Sequence, residues 1–148
     1  MSERPRHWNP EAPSEDYVPL AAASVGYGLL LGAAIAGAVL LGVRALVTQA
    51  PLTDQPDPFQ PAGLLLIFGT LSACAIAGIA CWTAMAPVSA YRRGGLSLVT
   101  TFATFVMALL MAPVNELAGP VGLAAVVLVC ALGVRALGMR IARLRGQR

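Results

Sequence analysis

Four long stretches of the chain contain no charged residue. Asp, Glu, Lys and Arg are absent from residues 18–43, 58–91, 94–115 and 117–134. The hydrocarbon core of a bilayer is about 30 Å thick, and a helix needs about 20 residues to span it at 1.5 Å per residue. Each stretch is therefore long enough to cross a membrane once, or nearly so.

The apolar stretches predict helices and not strands. They are continuous and rich in Leu and Ala, whereas a membrane barrel shows segments of about ten residues that alternate between apolar and polar. We predict an all-α, polytopic membrane protein whose four-helix transmembrane bundle occupies residues 18–138. A disordered tail at 1–17 and a basic tail at 139–148 flank it. The predicted helices are 20–46, 62–86, 96–112 and 117–137.

Composition excludes a water-soluble fold. Apolar residues make up 57% of the 148-residue chain, and there are 15 glycines in addition. Together they form roughly two thirds of the sequence, against about half in soluble domains. The chain carries ten basic and seven acidic residues.

Arginine placement predicts the orientation, because short loops rich in positive charge stay in the cytoplasm. Four crossings leave Arg44 alone on one side, with Asp54, Asp57 and Glu116. Both termini are therefore predicted to be cytoplasmic, and the net charge of +3 reflects this asymmetry and not a nucleic-acid partner. The lack of lysine suggests a bacterial protein, and hence an inner-membrane location. The nine arginines predicted to lie inside are Arg4, Arg6, Arg92, Arg93, Arg135, Arg140, Arg143, Arg145 and Arg148.

Small residues recur at four-residue spacing in the first two helices, which lets two backbones approach closely. In so small-residue-rich a chain the spacing could also arise from composition. Packing within the chain is favoured over packing on another protein, and Leu30 is expected to face lipid. The predicted packing positions are Gly28, Gly32 and Ala36 in helix 1, and Gly69, Ala73 and Ala77 in helix 2.

Helix 3 carries a stripe of hydroxyl side chains, Ser97, Thr101 and Thr104. Such groups could line a polar path, but in membrane helices they more often bond to a carbonyl one turn back or to a neighbouring helix. Transport sites usually also contain an ionisable group at membrane depth, and the charge-free stretches have none. The stripe is interpreted as a packing feature.

Two sets of charged residues are candidate sites at the membrane boundaries. Arg44 is expected to form an ion pair with Glu116 at the outer face, because both lie at the outer boundary. The C-terminal arginines are interpreted as an amphipathic segment that binds anionic lipid headgroups, or as a simple positive-inside stop signal. The lipid-surface residues are Arg140, Arg143, Arg145 and Arg148.

No catalytic, cofactor or metal site is predicted. The single histidine lies in the N-terminal tail, and the three cysteines have no His, Asp or Glu near them at membrane depth. The sequence favours an accessory or structural subunit, or an assembly helper, of a membrane complex over an enzyme. Its partners would be the lipid bilayer and other membrane subunits or a second copy of itself. The alternative is a small permease or channel that acts as a homo-oligomer.

Overall fold

All regular structure in the described part of the chain is helical. The structure, a computed structural model, describes residues 17–49, 61–86 and 88–146. Three helices follow in order, α1 (Tyr17–Gln49), α2 (Pro61–Ala84) and α3 (Ala90–Gly146). The all-α fold class is therefore confirmed for these residues. Apart from Tyr17, the predicted N-terminal tail lies outside them.

The three helices are each long and apolar enough to cross a membrane. α1 and α2 match the predicted first two helices to within three residues at each end. Pro61 is the first residue of α2, a position where its missing N–H removes no helical hydrogen bond. Large apolar side chains such as Phe68, Leu98 and Val121 are mostly exposed on the outside of the molecule, as expected for surfaces that contact lipid.

α3 begins six residues earlier than the prediction. Arg92, Arg93 and the two following glycines were predicted to form a connection, but they lie in the first turns of the helix. The Arg93 N–H donates to the carbonyl oxygen of Ser89 at 3.1 Å, which places serine at the start of the helix, where it is favoured. Arg92 and Arg93 therefore separate two charge-free stretches, but both lie inside one helix.

The predicted turn between helices 3 and 4 is also displaced. The helix continues through Pro113, Asn115 and Glu116, and the one residue inside α3 with non-helical dihedrals is Gly119, at φ 66° and ψ −171°. Pro120 follows it, and the residue before a proline is disfavoured in the helical region. The predicted third and fourth helices therefore form one 57-residue element with a break at Gly119.

The proximal part of α3, residues 90–118, runs in the same direction as α1. A Cβ atom built on Gly28 would lie 2.8 Å from Thr100 Cγ2, and one built on Gly32 would meet Thr104. Residues with higher numbers on α1 therefore contact residues with higher numbers on the proximal part of α3, as in a parallel pair of helices.

The distal part of α3, residues 120–146, runs past α1 in the opposite direction. A Cβ atom on Gly26 would lie 3.2 Å from Leu137, and one on Gly37 would lie 2.5 Å from Val127. Residues with higher numbers on α1 therefore contact residues with lower numbers on the distal part of α3. The chain therefore turns back at Gly119, and both ends of α3 lie at the same end of the molecule.

Two apolar clusters fill the interior. One contains Leu20, Ala23, Ala84 and Ile141, which join the start of α1, the end of α2 and the end of α3. The other lies farther along α1 and contains Ala33, Met111, Leu123 and Cys130. α1 thus supplies residues to both clusters and contacts the proximal and distal parts of α3.

The break at Gly119 predicts a specific sensitivity to a side chain. Gly119→Ala should lower stability by about 1–3 kcal/mol, because this backbone conformation is essentially restricted to glycine. Gly63→Ala is the matched control, since Gly63 lies in a helix with nothing within 4 Å of a built Cβ. It should be neutral or stabilising by up to about 1 kcal/mol. Thermal unfolding in detergent measures both, and equal melting temperatures would contradict the role given to Gly119.

Candidate functional site

α2 and the proximal part of α3 pack closely against one glycine face of α1. A Cβ atom built on Gly28 would lie 2.7 Å from the carbonyl oxygen of Ala77 and 2.8 Å from Thr100 Cγ2. One built on Gly32 would lie 2.9 Å from Ala77 Cβ and would overlap Thr104. These five residues are called the glycine seam. Here α1, α2 and the proximal part of α3 meet with no room for a side chain on α1.

The other predicted packing positions also face the interior. Ala36, Ala73 and Ala77 are buried, and a Cβ atom on Gly69 would lie 2.6 Å from Val39 Cγ1. The sequence left open whether helix 1 packs within the chain or on another protein. In the structure this face of α1 is occupied by the chain's own α2 and α3.

Leu30 does not face lipid, contrary to the expectation from sequence. It is half-buried beside the cluster of Ala33 and Leu123. A Cβ atom on Gly133 would lie 2.6 Å from Leu30 Cδ1, so the distal part of α3 packs against it. The error arose because α1 has neighbours on more than one side.

The hydroxyl groups of α3 are hydrogen-bonded to backbone carbonyls. Thr100 Oγ1 donates to Leu96 O at 2.8 Å, and Thr104 Oγ1 donates to Thr100 O at the same distance. Ser97 Oγ donates across to Gly78 O of α2 at 2.8 Å. Because these donors are engaged, the arrangement favours packing over a polar path.

One buried hydroxyl escaped the sequence interpretation. Ser24 on α1 is fully buried, and its Oγ has no hydrogen-bond partner among the described residues. Its position one turn before Gly28 extends the small-residue face, which is the signal that could have identified it.

At one end of the bundle, Arg44 of α1 contacts the proximal part of α3. Its Nη1 donates to Asn115 Oδ1 at 3.0 Å. Asn115 is adjacent to Glu116, the partner predicted from sequence, and the carboxylate of Glu116 is exposed. The expected neighbours therefore lie together, and the ion pair with Glu116 stays a prediction.

At the opposite end, the predicted lipid-surface arginines separate into two groups. Arg145 Nη2 donates to the carbonyl oxygens of Thr83 and Ala84, at the C-terminal end of α2. A cation at this position interacts favourably with the negative end of the helix dipole. Arg140 and Arg143 are exposed, and Arg148 lies outside the described residues. The basic segment thus continues α3 to Gly146 and anchors it to α2.

The same end of the bundle contains a cavity that sequence analysis did not identify. It measures about 1000 Å³ and lies between the start of α1, the start of α3 and Trp82. The Arg93 guanidinium stacks over the Trp82 ring, 5.0 Å from its centroid. Sequence analysis missed this site because residues 92–95 were predicted to form a connection, whereas they belong to helix α3.

The described residues offer no metal-binding cluster of three or more His, Cys, Asp or Glu side chains. Cys74, Cys81 and Cys130 are free thiols and are buried on different parts of the bundle. Thr100 Oγ1 lies 3.3 Å from Cys81 Sγ, so this thiol belongs to the packing of the seam.

Comparisons with known proteins assign no relatives. No protein-family model matches the sequence, and no significant match is found among curated proteins or solved structures. The functional argument therefore rests on the residues and their geometry.

The seam predicts that bulk is tolerated on one face of α1 and not on another. Gly32→Leu should lower the melting temperature in detergent or disrupt folding, because the side chain would overlap Ala77 and Thr104. Ala38→Leu introduces the same side chain at an exposed position of the same helix and should be tolerated. Equal losses would mean that helix 1 has no privileged packing face.

The Arg44 end predicts a small coupling energy. Arg44→Ala, Asn115→Ala, Glu116→Ala and the two double mutants with Arg44→Ala form two thermodynamic cycles. We expect coupling of Arg44 to each partner of below about 1 kcal/mol, since the groups are exposed to solvent. Strict additivity with Glu116→Ala would reject the predicted ion pair, and strict additivity with Asn115→Ala would reject a contribution of the observed hydrogen bond to stability.

Proposed function

We propose that the chain is an integral membrane protein that crosses the bilayer four times, with both termini in the cytoplasm. The length of α3 supports this proposal. Its 57 residues would extend about 85 Å as one straight helix, far beyond the roughly 30 Å of a hydrocarbon core. The break at Gly119 and the opposite directions of the two parts make α3 suited to two crossings.

The charges at the two ends support the orientation. Arg44 and Glu116 belong to the end formed near Gly119, whereas Arg93 and Arg145 belong to the other end. Arginine-rich segments are retained in the cytoplasm, which supports a cytoplasmic location for the second end. The lysine-free, arginine-rich composition further suggests a bacterial inner membrane.

Within that membrane, we propose the role of an accessory or structural subunit, or an assembly helper, of a larger complex. The carrying observation is the closed interior. The glycine seam leaves no space between α1, α2 and the proximal part of α3, and the seam's hydroxyls bond to backbone carbonyls. A solute path through these helices would need a row of free polar groups, and among the described residues Ser24 Oγ is the one buried hydroxyl without a hydrogen-bond partner. What the chain offers instead is apolar outer surface, which suits contact with lipid and with other membrane helices.

The topology has a direct test with alkaline phosphatase, which is active only outside the cytoplasm. Fusions after Gln55 or Asn115 should be active, and fusions after Gly94 or Arg148 should be inactive, because the arginine-rich segments stay inside. Immunoblotting controls for expression of each fusion. Activity at Arg148 would show an odd number of crossings, as expected if α3 crossed only once.

The role has its own test by crosslinking in the native membrane. A diazirine amino acid of leucine size replaces Leu71, Leu98 or Leu132, which are exposed on α2 and on the two parts of α3. We expect one face to crosslink reproducibly to a particular larger membrane protein. Leu123 is the matched control, since it is fully buried and should give no intermolecular product.

The permease alternative makes the opposite prediction in the same experiment. Exposed positions would then crosslink only to a second copy, at twice the chain's mass. The purified chain in liposomes would also conduct a solute. Both results together would reject the subunit proposal.

A further inference from the structure

The cavity beside Trp82 has an apolar wall and a basic mouth. Val18, Ala22 and Val25 of α1 form one side, and Leu98 of α3 lies on the other. Its volume of about 1000 Å³ is at the upper end of the range for ligand cavities, about 300–1000 Å³. We call it the Trp82 groove. Its size and lining suit an extended hydrocarbon chain.

Two glycines keep the groove open on the α3 side. A Cβ atom on Gly95 would meet nothing within 4 Å, and one on Gly94 would approach only the Trp82 ring, at 3.7 Å. Both glycines line the cavity. The groove therefore has room for more side-chain or ligand atoms at this point of the helix.

Positive charge is concentrated where the groove meets the first turn of α3. Arg92 lines the cavity, and Arg93 stacks over Trp82, which also lines it. The first turn of the helix contains no acidic residue. Helix N-termini carry partial positive charge and normally favour acids, so two arginines there add to the positive potential instead of offsetting it. An anion at the mouth would be stabilised by Arg92, by Arg93 and by the partial positive charge of the helix N-terminus.

Arg93 also has an unused donor. Its Nε is buried and lacks a hydrogen-bond partner among the described residues, although the guanidinium face lies on the Trp82 ring. A buried donor without a partner costs about 1–3 kcal/mol. Phosphate oxygens accept hydrogen bonds from arginine particularly well.

We propose that the Trp82 groove binds an anionic phospholipid of the cytoplasmic leaflet, with an acyl chain against Val18 and Leu98 and the phosphate near Arg92 and Arg93. This inference rests on the membrane location proposed above. Charge complementarity selects this occupant, because an apolar groove with a basic mouth matches a molecule with an apolar chain and an anionic head. A site of this kind would hold one lipid in place beside the junction of α1 and α3.

Trp82 is a built-in reporter of the bound chain. The protein contains two tryptophans, so a Trp8→Phe background isolates the fluorescence of Trp82. The purified full chain in neutral detergent is titrated with phosphatidylglycerol carrying brominated acyl chains, which quench tryptophan on contact. Phosphatidylcholine with the same chains and inorganic phosphate are the two comparison ligands. We expect saturable quenching by the anionic lipid at concentrations where the zwitterionic lipid quenches little.

Variants assign the binding to the groove. Arg92→Gln and Arg93→Gln should each weaken phosphatidylglycerol binding about fivefold, corresponding to about 1 kcal/mol per arginine near a lipid phosphate. Gly95→Leu should weaken it by filling the groove, and it should fold because its Cβ meets nothing within 4 Å. Arg135→Gln removes an equal charge from an exposed position of the distal part of α3 and should leave binding unchanged. Melting temperatures verify that each variant is folded.

Several results would overturn the proposal. Equal quenching by both lipids, or no quenching of Trp82, would leave no anionic-lipid site. An equal loss of binding in Arg135→Gln would reduce the effect to general surface charge. Full competition by inorganic phosphate at lipid-like concentrations would indicate a free-anion site instead. The phosphatase fusions report independently on membrane topology. If the fusions behave as expected and the lipid does not bind, the lipid-binding proposal is rejected and the membrane topology is not.

Discussion

The direct backbone contact of α1 at Gly28 and Gly32 is the interaction on which the rest of the bundle depends. In lipid, burying an apolar side chain between helices gains little, because the alternative environment is equally apolar. Helix association then depends on close packing and on hydrogen bonds between helices. Gly28 and Gly32 allow the close packing, since atoms of Ala77, Thr100 and Thr104 lie within 2.9 Å of the positions where their Cβ atoms would be. The hydrogen bond from Ser97 to the carbonyl of Gly78 joins α2 to the proximal part of α3 at the adjacent interface.

The polar contacts at the two ends of the bundle contribute less to its stability than the close helix packing. Arg44 bonds to Asn115 at one end, and Arg145 bonds to the last carbonyls of α2 at the other. Exposed polar pairs contribute about 1 kcal/mol or less. Their value lies in geometry, because each joins elements that are distant in sequence. Arg145 in particular ties the end of α3 to the end of α2, and Ile141 packs beside Leu20 and Ala84.

Reversal of the chain at Gly119 brings the arginine-rich end of α3 close to the arginines at its start. It returns the end of α3 to the region of Trp82 and Arg93, so positive charge accumulates at one end and the Trp82 groove opens there. The same distribution that orients a membrane protein during insertion thus also creates a basic rim beside an apolar cavity. Orientation and lipid recognition would then use the same arginines.

Several features of this protein follow from its amino-acid sequence alone. The helical class, the bounds of α1 and α2 to within three residues, and the small-residue positions that meet at the seam all follow from local properties, namely apolar run length, proline placement and residue size. Leu30 shows where that reasoning ends. Its burial depends on Gly133, more than one hundred positions away, and no pattern in helix 1 records which neighbours surround it.

Only the tertiary structure decided how the charged positions are used. The extension of α3 back to Ala90 was missed, because arginine and glycine interrupt an apolar run and yet remain compatible with a helix. The break falls at Gly119 and not at residues 113–116, because its positive φ requires glycine and the following Pro120 disfavours a helical conformation before it, whereas Pro113 and Asn115 remain helical. Arg145 reaches the carbonyls of α2, and Trp82 meets Arg93, through the fold. Local sequence determines which segments are helical and apolar, but a partner or a groove arises only where distant segments pack together.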